Sequence, residues 1–89
     1  MSLERLRKKI DMLDTGLLRV LAQRLEISKE IAEFKKKQDL PVQDRKRELE
    51  LVKDRIKKSK EFGLDDEEFV RELFELIMKK SREMQHEQQ

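Results

Sequence analysis

The sequence lacks, or has few of, several residue types that commonly stabilise small domains. It has no cysteine, tryptophan or tyrosine, and only four phenylalanines, two glycines and one proline among 89 residues. Without cysteine there is no disulfide framework and no cysteine-based zinc site. No apolar run approaches about 18 residues, so the sequence predicts neither a transmembrane helix nor a signal peptide. So few aromatic rings also argue against a stacking surface for single-stranded nucleic acid.

Charge, by contrast, is abundant and almost balanced. The 22 Lys and Arg residues nearly match the 20 Asp and Glu residues, and the formal net charge is +2. The two signs alternate at spacings of three and four residues, which is typical of solvated helix faces. We therefore expect neither nucleic acid nor a membrane as a partner. Because only 36% of the residues are apolar, the chain should bury little apolar area alone and need a partner chain.

The apolar residues recur every three or four positions, which predicts an all-α chain forming a single domain over residues 1–89. Three helices are predicted, at about residues 3–38, 44–60 and 66–86. Pro41 should end the first helix, because the residue before a proline disfavours the helical conformation. Asp44 is predicted to cap the second helix and Gly63 to end it, and Asp65 or Asp66 should cap the third.

The first predicted helix is very long for so small a chain. About 36 residues at 1.5 Å per residue span roughly 54 Å. Its apolar stripe runs along this whole length, and two shorter helices cannot cover it from one side. A second copy of the chain is therefore expected.

Several polar residues lie where the periodicity calls for apolar ones. Arg24 interrupts the stripe of the first helix, and Lys35, three turns later, points the same way. Ser81 and Gln85 continue the apolar stripe of the third helix. One interpretation is that Arg24 reaches into solvent and the helix ends fray. The other is that a buried cation needs an anion, which predicts a pocket for a small, carboxylate-rich molecule.

Two more groups of polar residues belong to this hypothesis. Asp44, Arg47 and Glu48 crowd one turn at the start of the second helix. Arg7 flanks the apolar stripe, but about 25 Å of helix separates it from Arg24. One small ligand cannot touch both within a chain. In a symmetric dimer with antiparallel long helices, Arg7 of one chain could approach Arg24 of the other.

Five stretches of the sequence match a known family pattern, in order and at the right separations. They are LRKKIDMLD at 6–14, LRVLAQR at 18–24, IAEFK at 31–35, PVQDRKRE at 41–48, and LFELIMKKS at 73–81 followed by Gln85. The chain therefore resembles the all-helical chorismate mutases over nearly its whole length. The resemblance implies a cytoplasmic isomerase that rearranges chorismate to prephenate on the route to phenylalanine and tyrosine. It also implies an intertwined helical-bundle homodimer with two equivalent sites, and no metal or other cofactor.

The resemblance also implies roles for the polar residues. Arg24, together with Arg7 from the partner chain, would hold the carboxylates of chorismate, and Ser81 would help to seat the ring carboxylate. Lys35 and Gln85 would donate hydrogen bonds to the ether oxygen of the breaking C–O bond.

The acidic turn completes the implied set. Glu48, with the backbone near Asp44, would bind the ring hydroxyl, and Arg47 would line the pocket and support the acidic pair. The reaction is pericyclic, so it needs restraint of the substrate and stabilisation of charge on the ether oxygen rather than a nucleophile. His86, the only histidine, is expected in solvent.

Three alternatives stay open at the level of the sequence. Isochorismate-pyruvate lyases resemble this family, although the complete turn of Asp44, Arg47 and Glu48 favours the mutase. A helical dimerisation or regulatory module without activity is the second, and the intact polar set on the stripes argues against it. A nucleic-acid-binding role is the weakest.

Overall fold

The computed structural model describes the backbone of residues 2–87 and the side chains of residues 2–85. His86 therefore lies outside the described side chains. Three helices make up this part of the chain, α1 (Leu3–Lys37), α2 (Arg45–Glu61) and α3 (Glu67–Glu87), and residues 2–87 contain no strand. The predicted all-α fold with three helices is confirmed. None of the helices in this range is long and apolar enough to cross a membrane.

Helix α1 ends shortly before Pro41, where the backbone leaves the helical conformation. The Leu40 amide donates to the Lys35 carbonyl at 2.8 Å, and Asp39 adopts a positive φ of 56°. This is the left-handed termination that glycine usually provides. Pro41 follows immediately and prevents the helix from resuming. The helix thus ends at Lys37, one residue before the predicted boundary.

The caps of α2 and α3 follow the chemistry of their first residues. The Asp44 carboxylate accepts from the Arg47 amide at 3.0 Å, and the Asp66 carboxylate accepts from the Phe69 amide at 3.1 Å. Asp44 therefore caps α2 as predicted, and Asp66 rather than Asp65 caps α3. Gly63 has a φ of 79° where the chain leaves α2, a conformation that favours glycine.

The core lies mainly between α2 and α3. Leu51, Val52 and Met78 are buried together, with Ile56 and Phe74 packed against them. Helix α3 also packs against α1. This arrangement leaves α3 between the other two helices and brings its face next to the C-terminal half of α1.

Most of α1 projects beyond this core. The described chain measures 56 × 24 × 16 Å, with a radius of gyration of 16.2 Å, whereas a compact chain of this length has about 12 Å. Ser28 and Ala32 are the only buried residues of α1. The apolar stripe of its N-terminal half is exposed, with Leu17 at 68% of its full accessibility. The single chain therefore leaves a large apolar face uncovered, as the long stripe predicts.

Candidate active site

The hydroxyl of Ser81 joins α3 to α1. It accepts hydrogen bonds from Arg24 Nη1 at 3.2 Å and Ser28 Oγ at 3.1 Å, and it donates to the Ile77 carbonyl at 3.0 Å. A hydroxyl has one proton and two lone pairs, so Ser81 has used its full capacity. To donate to a ligand, it must release the Ile77 carbonyl.

Sequence analysis missed Ser28, which is buried beside this junction. It lies one turn after Arg24 on α1, so helical spacing places the two on one face. That spacing was the available signal, but a serine inside a helix is common enough that it did not stand out.

Arg24 carries a positive charge that no acidic group in the described part of the chain balances. Its guanidinium is half-buried, and among the described residues it forms no ion pair with a carboxylate. Burial lowers the pKa of Arg24 from its usual range, and the positive charges of Arg55 and Arg47 lower it further. An arginine in such surroundings is suited to bind an anion, because a carboxylate would relieve both effects.

Arg55 is a second residue that sequence analysis missed. It pairs with Asp54 beside it on α2, and its guanidinium lies 6.0 Å from the centre of the Phe74 ring. These contacts hold the guanidinium of Arg55 at a position from which its positive charge lowers the pKa of Arg24. Arg47 contributes from the start of the same helix, and its side chain is exposed.

Lys35 lies near the C-terminal end of α1 and is partly buried. Its ammonium donates to the Val42 carbonyl at 2.7 Å, which ties α1 to the segment before α2. An ammonium has three donors, so Lys35 can bind a second acceptor without losing this contact.

Gln85 follows Ser81 by one turn and is buried, at 7% of its full accessibility. Among the described residues, its carbonyl oxygen Oε1 has no hydrogen-bond partner. Leaving a buried polar atom unpaired costs about 1–3 kcal/mol. A half-turn of the amide exchanges the oxygen with the NH₂ group, so the same point can offer a donor to a ligand.

The acidic turn at the start of α2 contains two carboxylates in different environments. Asp44 is exposed and its carboxylate caps the helix. Glu48 is partly buried, and its two oxygens accept from Gln43 Nε2 at 3.3 Å and from Arg82 Nη1 at 2.6 Å. Arg82, on α3, is the third residue that the sequence did not single out. In a chain so rich in charge, nothing in the sequence marks one arginine as the partner of Glu48.

Glu48 and Arg82 also line an open groove of about 540 Å³ between α2 and α3. Arg24, Lys35 and Ser81 are not on its walls. The groove therefore meets the candidate site only at the ion pair, and its mixed apolar and charged lining does not by itself define a ligand.

Arg7 is the one candidate residue that the chain holds apart from the others. It is exposed near the start of α1, about 25 Å along the helix from Arg24. A second groove, of about 520 Å³, has an almost wholly apolar lining that includes Leu17, Leu21, Leu73 and Ile77. A single chain thus leaves Arg7 outside the site and also leaves this apolar groove open.

Fold and site together define a small all-helical protein with an uncompensated, half-buried arginine where α1 meets α3. The family model of chorismate mutase type II matches residues 6–86, nearly the whole chain. The chain therefore belongs to the chorismate mutase type II family, and it is an enzyme of the isomerase class.

Two curated relatives agree with this family. The chorismate mutase of Methanocaldococcus jannaschii is 32% identical over 84 residues, which cover 93% of this chain and 83% of that protein. The bifunctional chorismate mutase/prephenate dehydratase of Aquifex aeolicus is 39% identical over 59 residues, which cover 66% of this chain and 16% of that protein. No solved structure matches the chain significantly.

Proposed function

We propose that the chain converts chorismate to prephenate by a Claisen rearrangement, and that the Arg24 junction is where the substrate binds. Chorismate has two carboxylates, an ether oxygen that becomes more negative in the transition state, and a ring hydroxyl. The uncompensated charge of Arg24 beside Ser81 is the observation that carries the proposal, because it fits a carboxylate. Membership of the chorismate mutase type II family supports a cytoplasmic location.

The carboxylates bind to the cations around this junction. Arg24 presents a guanidinium whose fork matches the two oxygens of a carboxylate. Ser81 seats the ring carboxylate after its proton turns from the Ile77 carbonyl to the ligand. Arg47 adds positive charge at the start of α2, and Arg7 arrives from the partner chain. This restraint holds the flexible enolpyruvyl group over the ring in a reactive conformation.

Lys35 and Gln85 stabilise the negative charge that develops on the ether oxygen. The ammonium of Lys35 keeps its contact with the Val42 carbonyl and uses another of its donors. Gln85 turns its NH₂ group to the position where its oxygen lacks a partner in the described part of the chain. Donors fixed in a buried site stabilise a developing charge strongly, because they need no reorganisation during the reaction.

Glu48 accepts a hydrogen bond from the ring hydroxyl, and the backbone near Asp44 assists. Each oxygen of Glu48 already accepts one hydrogen bond, but a carboxylate has about four lone-pair positions. A substrate hydroxyl can therefore bind without displacing Gln43 or Arg82.

The active form is an intertwined homodimer with Arg7 supplied across the interface. The exposed apolar stripe of α1 supports a partner of the same shape, since a second α1 in antiparallel orientation offers the same stripe. Such a two-fold arrangement gives two equivalent sites.

The test gives chorismate and isochorismate, in separate reactions, to the purified chain and identifies the products by NMR. We expect prephenate from chorismate, with competition by a bicyclic transition-state analogue. Pyruvate from isochorismate without prephenate from chorismate would instead assign the lyase activity. A chain that binds neither substrate would overturn the proposal.

A further inference from the structure

We propose that Arg82 is a positioning residue, which holds the carboxylate of Glu48 in the orientation that receives the ring hydroxyl of chorismate. The inference rests on the role proposed above for Glu48. Its starting observation is the ion pair between Arg82 Nη1 and Glu48 Oε2 at 2.6 Å.

This ion pair is the most enclosed in the described part of the chain. The two side chains are 28% and 22% exposed, whereas every other ion pair there has at least one side chain above 40%. Exposed pairs are weakened by solvent and salt, but enclosed charges are screened much less. Arg82 therefore restrains Glu48 more firmly than surface pairs restrain their partners.

Two donors from different segments fix the carboxylate. Arg82 holds Oε2 from α3, and Gln43 holds Oε1 at 3.3 Å from the segment before α2. Because Arg82 directly follows Ser81 in α3, the same helical turn anchors both Glu48 and the Arg24 junction. The ion pair thus sets the position of the hydroxyl acceptor relative to the proposed carboxylate site.

The chemistry predicts which kinetic constant Arg82 controls. The ring hydroxyl takes no part in the bonds that break and form, so its contact with Glu48 has similar strength in the ground state and the transition state. Loss of such a uniform contact raises KM and leaves kcat nearly unchanged. A merely structural arginine would change the amount of folded enzyme, and hence the apparent kcat, with little effect on KM.

The experiment measures chorismate kinetics for the wild-type chain, Arg82→Met, Arg82→Lys and Glu48→Gln. Arg82→Met should raise KM about tenfold, as for a lost charge-assisted hydrogen bond, while kcat changes by less than about threefold. Arg82→Lys keeps the charge and should recover most of the affinity. Arg71→Met is the matched control, because Arg71 also forms an ion pair on α3, with Glu68 at 3.3 Å; its KM should stay at the wild-type value.

A chorismate analogue without the ring hydroxyl separates positioning from simple charge. Long-range attraction by Arg82 acts equally on chorismate and on the analogue, because both are dianions. The contact with Glu48, in contrast, strengthens the binding of chorismate alone, because only chorismate has the hydroxyl. The ratio of the two affinities should therefore fall in Arg82→Met. An unchanged ratio overturns the inference, as does a KM that Glu48→Gln does not alter. If the Met variant does not fold, Arg82→Gln is measured with the same criteria. A wild-type chain inactive on chorismate overturns the proposed function itself.

Discussion

Replacing Arg24 by methionine should separate folding stability from catalysis in one variant. Methionine retains an apolar stem but removes the guanidinium. In the folded chain that guanidinium is half-buried, lies near the positive charges of Arg47 and Arg55, and has the neutral Ser81 hydroxyl as a partner at 3.2 Å. The lowered pKa of Arg24 means that folding disfavours its charged form. The surroundings of Arg24 are thus electrostatically unfavourable for its charge, and a bound carboxylate would relieve this electrostatic strain.

The structure sets the expected magnitudes. Apolar replacement of buried ionic groups is often neutral or stabilising by about 1–4 kcal/mol, and a partly exposed Arg24 belongs at the low end of this range. Loss of the hydrogen bond from Arg24 to Ser81 costs about 1 kcal/mol, which offsets this stabilisation. We therefore expect the unfolding free energy to stay constant or rise by up to about 1 kcal/mol, which is a Tm up to about 4–8 °C higher. Loss of a desolvated contact with a substrate carboxylate costs about 2–5 kcal/mol, so kcat/KM should fall roughly 30- to 5,000-fold.

The assay combines thermal unfolding by circular dichroism with the initial rate of chorismate loss. All variants are compared at one protein concentration, because the proposed dimerisation would make Tm concentration-dependent. Arg71→Met controls for removal of an arginine from an exposed ion pair. A strongly lowered Tm for Arg24→Met would refute the argument from electrostatic strain. Retained activity would refute the assignment of Arg24 to the substrate.

The remaining predictions concern a donor, a surface ion pair and the exposed stripe. Gln85→Glu should be weakly active at pH 8 and gain activity as acid protonates the new carboxyl, whereas wild-type kcat/KM should stay flat across neutral pH; equal profiles would remove Gln85 from the site. The hydrogen bond to Lys60 lowers the pKa of Glu67, so this pair stabilises the fold above about pH 5 and loses its effect as acid protonates the carboxylate. Glu67→Gln should thus lower Tm slightly at pH 7, and this difference should shrink as acid protonates Glu67; a difference that does not shrink in acid would contradict this linkage. Leu17→Glu should produce monomers in sedimentation experiments and abolish activity, whereas an unaffected dimer would exclude this part of the stripe from the interface.

Local signals in the sequence were sufficient to predict the helices. Periodicity located all three, and Asp44 and Gly63 marked the ends of α2 because capping depends on neighbouring residues. Asp39 was harder to predict, since its left-handed backbone takes the place that glycine normally fills.

For the candidate site, the contacts between helices could not be predicted from the sequence. Periodicity indicated that Arg24 and Ser81 lie on the inner faces of their helices, but it did not show that the two side chains touch. Arg82 had no signal at all. Its partner Glu48 is far away in sequence, and among 42 charged residues pairing depends on how α2 and α3 pack. That packing is a property of the folded chain, and the motif stretches were informative only through the family that they resemble.

Subunit mixing tests the central claim most directly, namely that Arg24 of one chain and Arg7 of its partner form one chorismate site. Arg7→Ala and Arg24→Ala are each expected to be nearly inactive. When they are mixed in equal amounts and allowed to exchange, half of the dimers should be hybrids. Each hybrid has one site with both changes and one site with neither, so activity should return to about one quarter of the wild-type value. If the two arginines act within a single chain, or the chain does not dimerise, mixing will restore no activity and the account is wrong.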